Sequence, residues 1–433
     1  MSGTELKRVI GVRTLTLSIV NMVVGSAIFV VPAGAAQELG STAVLAYFVA
    51  AAMVLVVALC FAEAASRVTA TGGGYAYVAR AFGPAAGFVT ASLQWLANGI
   101  LSAAAVANAL IGTLGAAVPS LATGLPRAAL MVTVFVVLAW VNVRGVQSGA
   151  RTVVVLTILK LAPLLLLLVW GLHLIEPAHL IWVDQPTIAS LGRGSLLLVF
   201  ALTGMEIALT PTGEITNPSR TVPLAALLGV STTAALYIGM HLLAQGVLGP
   251  DLAKFPAAPL AEVADRVFGP GGRTLLLVAA VVSMVGYLSG DLLSSPRSVF
   301  ALAEDGLLPA PLARVHPRYQ TPYVAVIGYA ALSCLLAVAG SFTQLVLLNA
   351  IGVLLIYLGV VLAVFKLRRD GVRADREPLR MWGGPLIPIL ALGLVVALLA
   401  VAPAGQQIAA VAFVAICAMI YDVGRRRRGS PYS

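Results

Sequence analysis

Charge is what this 433-residue sequence has least of: Asp, Glu, Lys and Arg make up 10% of it, against 60% hydrophobic residues. Ordinary soluble domains carry about 25% charged residues, so a water-soluble globular chain is excluded. Cysteine is also scarce. Cys60, Cys334 and Cys417 stand alone inside apolar runs, with no second Cys or His at metal-ligand spacing, so they read as small core residues and no metal site is indicated. His173, His179, His241 and His316 are read at span ends or in loops, without a Ser, Cys or carboxylate at a catalytic spacing. An enzyme, and any cofactor with it, finds no support. The G-x-x-x-x-G-K-[ST] loop of nucleotide-driven pumps is missing, as is the repeated filter of a channel. The connections are too short for a soluble domain. The charged N-terminus lacks the short apolar core and small-residue cleavage site of a secretory signal peptide.

What the chain has is apolar runs. A helix needs about 20 such residues to cross a bilayer, and runs of that order are read at 14–37, 42–65, 86–117, 127–146, 151–172, 190–213, 223–248, 274–304, 322–340, 343–367, 385–402 and 406–424. The expected fold is an all-α membrane protein of about 12 transmembrane helices, a single polytopic domain over 1–433 in the lipid bilayer. The net charge of +10 is no nucleic-acid footprint, because the bases are sorted by side. An even number of spans puts both termini on one side, and that side holds 21 of the 27 Lys and Arg, with five opposite and Lys160 inside a span. The bias places both termini in the cytoplasm, across the cytoplasmic membrane.

Two spans are poor continuous helices. Gly25-Ser26-Ala27 lies halfway through the first, within Asn21 to Pro32, and the sixth reads Phe200-Ala201-Leu202-Thr203-Gly204-Met205-Glu206 before Pro211 and Gly213. Breaks are expected at Gly25 and near Thr203 and Gly204. Unwound backbone at mid-membrane is tolerable only where it faces protein or a watery cavity. A half-helix N-terminus there offers N–H groups to an anion, and a C-terminus offers carbonyls to a cation, which together suit a zwitterion such as an amino acid. Small residues also serve plain helix packing, the competing explanation for Gly25 and Ser26. In the third span Gln94, Asn98 and Ser102, four residues apart, form a polar stripe facing the interior, with interhelical bonding the expected role of Gln94.

Ionisable residues inside spans mark function by default. Lys160 lies about 13 Å into the fifth span, Glu206 follows the sixth-span break, and Asp291 sits two turns before Arg297. One base and two acids would be net negative if all were ionised, and a proton or a cationic substrate group would relieve that. A structural strut is the other reading of Lys160.

The motifs together resemble the amino acid-polyamine-organocation superfamily, in its amino-acid permease branch. They are Gly25-Ser26-Ala27-Ile28-Phe29 with Pro32, Thr71-Gly72-Gly73-Gly74-Tyr75, Phe82-Gly83, Gly213-Glu214-Ile215-Thr216-Asn217-Pro218-Ser219-Arg220 with Pro223, and Asp305-Gly306-Leu307-Leu308-Pro309. The resemblance implies a leucine-transporter-like five-plus-five inverted repeat with discontinuous first and sixth helices. Repeat one covers about 14–172, repeat two about 190–367, and two accessory helices about 385–424. It implies a secondary transporter of amino acids working by alternating access, expected to be proton-coupled. The alternative is a cationic amino acid or polyamine exchanger or uptake system.

By the same resemblance the substrate carboxylate meets backbone N–H groups at Gly25, Ser26 and Ala27, and the ammonium meets carbonyls at Phe200, Ala201 and Thr203, with Phe200 as an aromatic gate. Val24 and Gly204 at the breaks, and Asn98 and Ser102 of the polar stripe, are further expected substrate contacts, with hydrogen bonding to a neighbouring helix the alternative for the stripe. Lys160, Glu206 and Asp291 are the expected coupling residues, Asp291 also facing substrate. The family usually has Gly at the Ala27 position, so the added methyl narrows the cradle, and Asp291 is an unusual charge at its position.

Overall fold

The first apolar run folds as two helices because its middle has nothing to sustain one. α1 (Val12–Val23) stops at Val24, and α2 (Ala27–Leu39) starts after Ser26, bent 54° from α1. This geometry comes from a computed structural model, which describes residues 10–68, 72–144, 150–183, 185–209, 215–304, 306–373, 378–379, 381 and 383–427, and only the backbone of 150–157, 218–219 and 425–427. Thr71, Pro211, Gly213, Glu214 and Asp305, which carry parts of the motifs read above, lie outside the described residues.

The chain continues through α3 (Val44–Arg67), the short α4 (Gly74–Phe82), and a third span made of α5 (Pro84–Leu93), a π-helical segment Gln94–Leu101 and α6 (Ser102–Ala117). Then come α7 (Gly124–Val143), α8 (Ala150–Gly171), α9 (Ile188–Leu202), the single turn α10 (Met205–Ala208) and α11 (Pro218–Leu248). An amphipathic α12 (Pro259–Phe268) precedes the long α13 (Pro270–Glu304). The last four are α14 (Tyr323–Ala339), α15 (Phe342–Arg369), α16 (Leu386–Val401) and α17 (Ala404–Arg427). Among the described residues there is no strand, only one isolated bridge between Ile10 and Ile215.

Among the described residues, eight helices are long and apolar enough to cross a membrane, or nine if the bent pair α1–α2 counts as one span. The expectation was about twelve. The difference lies in α8, of whose first eight residues only the backbone is described, and in two shorter apolar helices, Tyr323–Ala339 and Leu386–Val401. A 17-residue helix rises only about 26 Å, short of the roughly 30 Å hydrocarbon layer.

Burial separates an inner from an outer set of helices. The apolar windows of α3 and of the third span are 61% and 72% buried, against 17% for α7 and 6% for α17, so the latter two form the rim. Their outward side chains, among them Val136, Trp140, Ile408 and Val411, are apolar and exposed. Such an apolar exterior belongs in lipid, and the chain is a multi-pass membrane protein.

At the end of the bundle where α3 and α15 finish, Glu63 is buried between two arginines. Arg67 reaches its Oε1 at 2.9 Å, and Arg368 donates to both carboxylate oxygens, at 2.7 and 2.6 Å. Arg67 also donates to the Val372 carbonyl and Arg368 to that of Gly384, which ties the segment after α15 to the foot of α3.

Candidate functional site

The two interruptions meet. Thr203 is extended and Gly204 has φ 121°, a conformation open to glycine at little cost. A Cβ on Gly204 would lie 3.1 Å from the Met22 carbonyl carbon and oxygen and 3.3 Å from the Val23 nitrogen. Backbone packs on backbone, which any side chain would prevent. The Glu206 carboxylate then stabilises the turn: Oε1 accepts from the Gly204 N–H at 3.1 Å, and Oε2 accepts from the Tyr357 hydroxyl of α15 at 3.0 Å.

The carbonyls freed at the end of α1 are each held by a different helix. Lys160 of α8 donates to Asn21 O at 2.7 Å, Tyr237 of α11 to Val23 O at 3.2 Å, and Ser283 of α13 to Gly25 O at 3.2 Å. Polar backbone in a membrane must find partners inside the protein, and three helices supply them. The N-terminus of α2, by contrast, has no side-chain cap: Ser26 makes no capping hydrogen bond. Such an uncapped helix N-terminus suits an anion.

The third span contributes through its π-helical turn, which widens the hydrogen-bond ladder and releases carbonyls. Asn349 donates to Ala97 O at 2.6 Å, and Tyr287 donates to Asn98 O at 3.3 Å while its oxygen lies 2.7 Å from Ser102 Oγ. Gly99 makes room for Tyr329, whose hydroxyl would lie 2.3 Å from an added Cβ. The Asn98 amide, beside Glu206, has no hydrogen bond of normal geometry among the described residues.

Between these elements is a cavity partly open to solvent. Its walls are the first break (Gly25, Ser26, Ala27), the second (Phe200, Ala201, Thr203, Gly204) and the third span (Asn98, Ser102, Val106). Met22, Val23, Ile207 and Tyr287 complete it, and no wall residue bears a formal charge. Phe200 meets Phe342 of α15 edge to face, ring centroids 6.2 Å apart. Apolar walls with a few convergent polar groups are the make-up of a small-molecule site.

The profile of the amino acid permease family matches residues 10–421. The chain belongs to that family. Among its relatives are a serine/threonine exchanger of Bacillus subtilis, 28% identical over 404 residues with 89% of each chain covered, and a branched-chain amino acid permease of the same organism, 28% identical over 416 residues, covering 90% of this chain and 86% of the other. The mouse cationic amino acid transporter 4 is 29% identical over 409 residues, covering 88% of this chain and 63% of that one.

Of the residues read from the permease sequence as substrate-facing, nine line the cavity. Val24 and Asp291 do not. The Val24 side chain is buried in the core. Asp291 accepts hydrogen bonds from Ser295 at 2.7 Å and Tyr329 at 2.8 Å, and Tyr287, one turn earlier on α13, takes the wall position. Lys160 makes no ion pair with an acid among the described residues, and its ammonium holds Asn21 O. Gln94, at the far end of the third-span stripe, is outside the wall. Sequence reasoning missed Met22, Val23, Val106 and Ile207, which look like any apolar span residue. It also missed Tyr237, Tyr287 and Tyr357, which mid-span phenols could have flagged.

Proposed function

We propose that this permease is a secondary transporter carrying neutral amino acids across the cytoplasmic membrane by alternating access, coupled to protons, with both termini in the cytoplasm. The observation that carries the reading is the cavity where two helix interruptions meet, walled by backbone of both and by no charged side chain. The substrate carboxylate meets the uncapped N–H groups at Ser26 and Ala27, and the ammonium meets carbonyls at the end of α9 around Phe200 and Ala201. The Asn98 amide, beside Glu206, offers a further polar contact, and Met22, Val106 and Ile207 receive an uncharged side chain. The two bacterial relatives are named for neutral amino acids, which agrees with this wall.

The five-plus-five inverted repeat, about 14–172 and 190–367 with accessory helices about 385–424, is part of the same reading. Interruptions at the first and sixth spans support it. Coupling is assigned to Lys160, whose ammonium fixes the end of α1 when charged and releases Asn21 O when neutral.

Asp291 favours a second reading, transport of cationic amino acids or polyamines, because it lies one turn beyond Tyr287. It would require Asp291 to leave Ser295 and Tyr329 and turn into the cavity. Counterflow in liposomes with labelled serine, leucine, arginine and putrescine decides between them. Uptake of serine or leucine is expected; transport of arginine or putrescine alone would overturn the neutral assignment.

A further inference from the structure

A buried polar row leads away from the site along α11. Tyr237, His241 and Gln245 follow one another at four-residue spacing and so share one helix face; all are buried. His241 was read from the sequence as a span-end residue, yet it lies inside the bundle. At one end of the row Tyr237 donates to Val23 O, two residues from the Asn21 carbonyl that Lys160 holds. At the other, Gln245 Nε2 donates to the His179 carbonyl at 3.3 Å. His179 lies 3.3 Å from the Glu176 carboxylate, whose side chain is 70% exposed. In the middle, Tyr47 of α3 lies against His241, ring centroids 4.7 Å apart, and within electrostatic range of Tyr237.

The polar atoms along the centre of this row are orphaned. Both ring nitrogens of His241, the Tyr47 hydroxyl and Gln245 Oε1 are buried and have no hydrogen-bond partner among the described residues. Leaving such groups unpaired is costly, and native proteins satisfy them with protein or ordered water. Packing does not account for them, since phenylalanine at both ring positions would stack as well without that cost.

We propose that Gln245, His241, Tyr47 and Tyr237, bridged by ordered water, form the path along which protons pass between the His179–Glu176 end of the bundle and the Lys160 end of α1. The proposal rests on the proton-coupled reading given above. His241 takes a proton on one ring nitrogen and releases one from the other; the two phenols each accept and donate one, and Gln245 orients water. The last acceptor is the neutral Lys160 amine, which becomes the ammonium that holds Asn21 O. One proton enters and one is bound, and no electrons move. The titratable and charged groups around the row are Tyr47 on α3, Tyr237 on α11 itself, Glu176 and His179 on the connection before α9, Asp251 with Lys254 on the turn after α11, and Lys160 on α8. The entrance thus has two acids, Glu176 and Asp251, with Asp251 paired to Lys254 and also facing Arg266 of α12.

His241→Phe keeps the ring stack and removes both nitrogens, and Tyr47→Phe removes only the hydroxyl. In liposomes both variants are expected to keep substrate counterflow, measured without a pH gradient, within about twofold of wild type. Accumulation driven by a pH gradient and substrate-dependent proton uptake, read with an internal pH dye, should fall about tenfold or more. Ser333→Ala, which removes another orphaned buried hydroxyl on α14, should change neither. Wild-type gradient-driven accumulation in both variants would overturn the path. So would a parallel loss of counterflow, which would make the row structural. A wild-type protein with no gradient-driven accumulation would overturn the coupling reading itself, and the path with it.

Discussion

A Cβ on Gly204 would lie 3.1 Å from the Met22 carbonyl, so the sixth-span interruption is seated directly on the last turn of α1. The two glycines of the site are therefore not equivalent. At φ 121° any other residue adds strain of roughly 1–3 kcal/mol to that backbone collision. Gly204→Ala should lower the thermal midpoint and abolish transport. Gly25 faces open space, its nearest prospective contacts 4.0 Å away. Gly25→Ala should fold normally and weaken substrate binding, and Gly25→Val should fold and block it. Thermal unfolding alongside counterflow separates the outcomes; normal transport by Gly25→Val would move the site elsewhere.

Lys160 touches α1 through a single carbonyl, that of Asn21. Lys160→Ala should retain substrate-induced thermal stabilisation and lose accumulation driven by a pH gradient. Lys160→Arg, which stays charged, should hold one conformation and slow both gradient-driven uptake and counterflow. Sodium-dependent uptake by the wild-type protein would rule the mechanism out.

Tyr357 connects α15 to the sixth-span turn by one hydrogen bond to Glu206. Tyr357→Phe leaves a buried carboxylate oxygen without that donor, at a cost of about 1–3 kcal/mol. We expect a lower thermal midpoint and a several-fold slower transport rate, with a smaller change in apparent affinity. Glu206→Ala, which also frees the Gly204 N–H, should be worse than Glu206→Gln.

Asp291 is held by Ser295 and Tyr329 outside the cavity wall. Asp291→Asn should therefore leave the ranking of neutral substrates unchanged in competition assays. Loss of arginine uptake with serine uptake intact would instead establish the cationic reading.

The Glu63 carboxylate, 1% exposed, depends on Arg67 and Arg368. Breaking a buried pair costs up to about 3–5 kcal/mol, less here because one arginine would remain. Arg368→Ala should lower the thermal midpoint more than Arg369→Ala, whose side chain is exposed.

The sequence by itself determined the solvent, the helices and the two interruptions. Long apolar runs with few charges can only be membrane helices, and Gly25-Ser26 or Thr203-Gly204 cannot sustain a helix without help, so these features are local and legible in order. The helix ends fall within a few residues of the expected ones, as at Val44–Arg67 and Phe342–Arg369. Tertiary structure decided what meets what. Whether Tyr287 or Asp291 faces the cavity depends on one helical turn of α13, and whether Lys160 pairs with an acid or a carbonyl depends on where α8 packs against α1. Span periodicity fixes neither, because a buried membrane helix is largely apolar all round and its rotation is set by its neighbours. The π turn at Gln94–Leu101 shows the same limit: Asn349, Tyr287 and Tyr329 from three other helices pack against it.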